Sequence, residues 1–67
     1  MTLYWVDDHN KRVDYMTFSG SLRSVRKQAK KLARNKLFHT INPTAIRIDI
    51  CEDGLFGEEL ERVAIVK

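Results

Sequence analysis

The chain has 67 residues, of which 43% are hydrophobic and 31% charged. That mix suits a single folded domain with a thin core and excludes a disordered polar chain. The lone cysteine, Cys51, excludes an internal disulfide, no Cys/His cluster suggests structural zinc, and no apolar run approaches a membrane span.

Leu3 to Val6 reads as a strand of bulky, aromatic and β-branched residues. Asp7-Asp8-His9-Asn10 is turn chemistry, because Asp and Asn side chains bond their own backbone and tolerate left-handed geometry. Arg12 to Phe18 completes a hairpin. Ser19-Gly20-Ser21 then punctuates, and either serine can cap a helix that follows. The helix is expected from Leu22 to about Lys36. Leu22, Val25, Ala29, Leu32 and Ala33 fall within an arc of about 100° on the helical wheel.

Leu37 to Thr44 is a connector broken by Asn42-Pro43. Ala45 to Cys51 alternates strictly, with Ile46, Ile48 and Ile50 on one face and Arg47, Asp49 and Cys51 on the other. Glu52-Asp53-Gly54 opens a loop that Gly57 continues, and Leu60 to Val66 is a fourth strand. The fold class is therefore α+β: a single ββαββ domain over residues 1–67. The apolar third strand and the aromatic first strand both suit central places. A mainly antiparallel four-stranded sheet in the order 2-1-3-4 is expected, with one helix packed on one face.

Net charge is +3, but it is unevenly placed. Residues 11–48 hold ten basic residues opposed only by Asp14, a local charge of +9. The rest holds two basic residues against eight acidic ones, a charge of −6. Such asymmetry suggests a charged partner. On the helix, Arg23, Lys27, Lys30 and Arg34 stack at i, i+4, i+7 and i+11 into one ridge, flanked by Arg26 and Lys31. Like charges at these spacings repel by a few tenths of a kcal/mol each, so the helix gains nothing locally from the arrangement.

One reading is that these six residues meet the phosphates of DNA or RNA, whose neutralisation releases counterions and dominates affinity. No Asn or aromatic side chain stands among them to read base edges, so phosphate contact with little sequence choice is expected. The other reading is a solvated face whose cations pair with the acidic segments 52–53 and 58–61 of the same molecule.

One helix covers one face of a sheet, while the first two strands carry apolar residues on both faces. Tyr4 and Tyr15 then either shield the second face with their hydroxyls in water or belong to an interface with a second copy or another protein. Stacking of single-stranded bases is a weaker reading, because the second strand lacks the Gly-rich aromatic pattern of RNA-binding sheets. Leu55 and Phe56 form an apolar loop tip ringed by Glu52, Asp53, Glu58 and Glu59. The tip either docks a protein partner or folds back on the core.

Asp7-Asp8-His9 and Asp53-Gly54 are explained by turn chemistry, the latter lacking the ligand spacing of a calcium loop, and no metal or cofactor is expected. Cys51 reads as a small semi-buried hydrophobe without a partner thiol. With no phosphate-cradling glycine loop, no His–carboxylate pair and little room for a pocket, an enzyme is not expected. The first residues lack the basic start and apolar stretch of a signal peptide, so the cytoplasm is the default location.

The layout is similar to that of many short phage and mobile-element proteins. It also resembles, in arrangement alone, the three-strand-plus-helix DNA-binding modules of some integrases. Those present the sheet to the major groove, whereas the basic residues here lie on the helix, and no motif residue carries across.

Overall fold

A computed structural model describes residues 1–54 and 57–66, so the expectation for Leu55 and Phe56 lies outside the described residues. The elements are β1 (Thr2–Asp7), β2 (Arg12–Thr17), α1 (Leu22–Arg34), α2 (Lys36–Ile41), β3 (Ala45–Cys51) and β4 (Glu59–Ala64). The four strands form one antiparallel sheet in the order β2-β1-β3-β4, as the sequence suggests.

The first hairpin closes as its turn residues require. Asp7 Oδ1 accepts the backbone N–H of His9 at 2.9 Å and of Lys11 at 2.8 Å. Asn10 adopts the left-handed conformation, with φ 61°. The Asp7 carboxylate is thus occupied in holding the backbone. At the entry to α1, Ser21 is the N-cap and its hydroxyl accepts the Ser24 N–H at 3.3 Å. Gly20 before it has φ 118°, a conformation only glycine takes easily.

Register places Leu3, Trp5, Ile48, Ile50 and Val63 on the helix side of the sheet. Val25, Ala29 and Ala33 of α1 seal against that side, together with Phe38. Small alanines let the helix approach the sheet closely, and each fully buried Leu, Ile or Val contributes about 1.5–3 kcal/mol. Trp5 and Phe38 meet edge to face with centroids 5.1 Å apart.

Three local differences from the sequence reading have physical causes. First, the helix stops at Arg34 and a second, short helix replaces part of the expected connector. Asn35 does both jobs. Its backbone N–H donates to the Leu32 carbonyl at 3.1 Å, and its side-chain oxygen accepts the Phe38 N–H at 3.0 Å. Second, Ile46 does not share the face of Ile48 and Ile50. A register shift between Val6 and Asp7 sets Asp7 opposite Ala45, so Ala45 is fully buried and Ile46 is 44% exposed. Third, Cys51 is fully rather than partly buried.

Candidate nucleic-acid interface

The orientation of α1 follows from its apolar stripe. With Ala29 and its neighbours on the sheet, the wheel sends Arg26 to the β4 flank. The ridge of Arg23, Lys27, Lys30 and Arg34 then lies higher on that same flank, and Leu32 turns to the opposite one. The contact with β4 bears this out. Arg26 Nε donates to Glu61 Oε2 at 2.6 Å, both side chains being about one-third exposed. Glu61 faces the helix because it pairs with Ile50 in the ladder. Of the six basic residues expected to act together, Arg26 is therefore occupied within the molecule.

The other five are different. Arg23, Lys27, Lys30, Lys31 and Arg34 are exposed, and none is ion-paired to a described residue. None of Glu52, Asp53, Glu58 and Glu59 forms an ion pair with them, Asp53 being taken by the N-terminal amine and Glu59 by Arg62. Arg23 to Arg34 spans about 16 Å of helix, the axial rise of about five base pairs of duplex. The α1 C-terminus is itself satisfied. The Ala33 carbonyl accepts the Val66 N–H at 3.0 Å and His39 Nε2–H at 2.8 Å, which fixes the proton of that ring on Nε2. Lys31 and Arg34 stand in the last turn, where the helix dipole favours cations.

The opposite face of the sheet holds three arginines that sequence reasoning did not single out. Arg12 stacks its guanidinium 3.8 Å from the centroid of Tyr4 and reaches Cys51 Sγ at 3.9 Å. Arg47 donates to Asp49 Oδ1 at 2.9 Å and also to Asn10. Arg62 is bound to Glu59 and lies 4.0 Å from Asp49. Val6 is buried on this face between its ladder partners Arg12 and Arg47. Tyr4 is half-buried beneath Arg12, and Tyr15, 5.9 Å from it, is exposed. The face is thus a paired, polar layer rather than a bare apolar one. The signal was present in the alternation of β3, which sets Arg47 beside Asp49 across one residue.

Electrostatics follow the same pairing. The Arg62 guanidinium holds the Glu59 carboxyl below the usual carboxylate range, and Glu59 in turn raises Arg62. Burial pushes the Cys51 thiol up, against the opposing pull of Arg12. Among the described residues no cluster of His, Cys, Asp and Glu could hold a metal ion, and no helix is long and apolar enough to cross a membrane.

An apolar groove of about 330 Å³ opens on the helix side, between β2 and α2. Trp5, Met16, Leu32 and Phe38 line it with Leu37 and Ile41, which are two-thirds exposed. The sequence reading missed it because it treated Leu37 to Thr44 as connector. The spacing of Leu37, Phe38 and Ile41 is the signal that could have found it. Comparison with known protein families, with curated proteins and with solved structures finds no match to this chain.

Proposed function

We propose that this chain is a small, non-enzymatic, cytoplasmic protein that contacts the phosphate backbone of DNA or RNA through α1. One observation carries the reading. Arg23, Lys27, Lys30 and Arg34 form an exposed ridge without intramolecular partners among the described residues, while Arg12, Arg26, Arg47 and Arg62 are all engaged. Concentrating unpaired cations on one helix flank costs the fold some repulsion, and a polyanion outside the molecule offsets it. Gln28 lies off the ridge, so the contacts are to phosphate and the sequence preference is weak.

Binding to duplex and single-stranded oligonucleotides, titrated with salt, tests the reading. Four phosphate contacts predict a slope of about −3.6 on duplex and about −2.8 on single strands in a plot of log affinity against log salt. Absence of binding at low salt would eliminate it.

A further inference from the structure

β2 is one of the two outer strands of the sheet, and the order β2-β1-β3-β4 pairs its outer edge with no other strand. All six of its residues are exposed, and Val13, Tyr15 and Met16 give it an apolar character. An edge of that kind is a ready template for another strand. β4, at the opposite edge, carries Glu59, Glu61 and Arg62 and is better defended by charge. We propose that Asp14 guards the β2 edge by holding the outward backbone N–H of Tyr15, which keeps a second strand from adding to the sheet there.

The ladder decides which donors point outward. Met1 and Phe18 exchange both of their hydrogen bonds, each at 2.8 Å. Bonded and non-bonded pairs alternate along antiparallel strands. Leu3–Met16 and Trp5–Asp14 are therefore bonded pairs, while Thr2–Thr17 and Tyr4–Tyr15 are not. The Tyr15 and Thr17 N–H groups accordingly face away from β1. Further along, Val6 pairs with Arg12 where an unbroken register would give Val13, so Val13 is the extra residue of a bulge. The bulge itself spoils the edge at that end. Between the bulge and the end of the strand, Tyr15 is the first outward donor, and Asp14 Oδ1 accepts it at 2.8 Å.

The surroundings of Asp14 support this role. It is the one acidic residue between positions 11 and 48, yet it forms no ion pair with a described residue. Its exposed carboxylate spends one oxygen on its own strand. An incoming strand would have to displace that oxygen and strip water from the charge, and both steps cost free energy. No side chain among the described residues caps the Thr17 N–H, which makes Thr17 an internal control on the same edge.

Amide exchange and equilibrium sedimentation of the full chain, without nucleic acid, test this. In dilute parent protein the Tyr15 amide should exchange about fivefold more slowly than that of Thr17, each relative to its intrinsic rate. Asp14→Ala should abolish that difference. At concentrations up to about a millimolar, Asp14→Ala should self-associate about thirtyfold more strongly than the parent, the worth of two hydrogen bonds, one from the Tyr15 of each copy. In the associated variant both the Tyr15 and Thr17 amides should become protected, as β2 of one copy pairs with β2 of the other. Asp14→Asn keeps an acceptor in the same place and should stay within about threefold of the parent. Unchanged far-UV circular dichroism verifies that these variants, at an exposed position, remain folded. Equal association of parent and Asp14→Ala overturns the proposal, as does association that leaves both amides unprotected. An Asp14→Asn variant that behaves like Asp14→Ala overturns it too. Because the readout involves no oligonucleotide, it stands or falls apart from phosphate binding.

Discussion

The two arginine-bearing surfaces of this molecule have similar residue types and opposite arrangements. On the outer face of the sheet, Arg12, Arg47 and Arg62 are each stacked or ion-paired, and Asp49 beneath them is almost fully buried. On α1, Arg23, Lys27, Lys30 and Arg34 stand in solvent, ion-paired to no described residue. Charge counted along a sequence therefore differs from charge available to a partner. Antiparallel pairing sets Arg62 of β4 beside Asp49 of β3, which offsets part of the charge of the sheet face. A helix with no acidic residue of its own keeps its charge, apart from what a neighbouring strand supplies at Arg26.

The comparison makes unlike predictions for stability. Asp49→Ala removes a buried carboxylate from the partly buried Arg47 and from Arg62 and should cost about 1–3 kcal/mol. That loss would appear in urea unfolding, with melting lowered by about 4–8 °C for each kcal/mol. Lys30→Ala on the ridge should stay within about 0.5 kcal/mol of the parent. Equal losses at the two positions would erase the distinction.

For binding the ranking reverses. Neutralising Lys27 and Lys30 together should reduce the salt slope by about two, whereas Arg62→Gln should leave it unchanged. A slope that falls equally in both variants would show that the sheet face also meets the polyanion. Glu61→Gln sharpens the boundary between the surfaces. Releasing Arg26 should steepen the slope by up to about one and cost about 1 kcal/mol or less, as expected for a partly exposed pair. No change in slope would mean that Arg26 lies beyond reach of the nucleic acid.

The smallest effect concerns acid. Glu59 is depressed in the folded chain by Arg62, so its contribution is present above the unfolded carboxylate value, about 4.3, and is lost as pH falls below it. Glu59→Gln should therefore flatten the decline of stability with acid slightly, measured by melting at stepped pH. An unaltered decline would show that this exposed pair contributes nothing measurable.

Much of the architecture was legible because its signals were local. Alternation in β3, aromatic residues in β1 and turn residues after Val6 suffice for two hairpins, and the period of α1 shows both its buried stripe and its ridge. What escaped depends on meetings between distant residues. The Arg26–Glu61 pair requires knowing that Glu61 faces the helix, which the ladder with Ile50 decides. The stacking of Arg12 on Tyr4 requires the first hairpin's register. The displacement of Ile46 depends on one shifted ladder partner, Asp7 to Ala45, which no alternation pattern reveals. α2 was hidden by its shortness, since six residues carry only the brief i, i+1, i+4 spacing of Leu37, Phe38 and Ile41, and its stability comes from Phe38 in the core.

Asn35 joins α1 to α2 mechanically. Its N–H, its carbonyl and its side-chain oxygen are all engaged, with Leu32, His39 and Phe38. A joint one residue long held by three such bonds has little slack. An extra residue beside Asn35 would pull Phe38 off Trp5 and misplace Leu37 and Ile41. The ridge of α1 would remain in place while the groove beside α2 changed shape. That single position is therefore a natural lever for reshaping the groove without touching the charged flank.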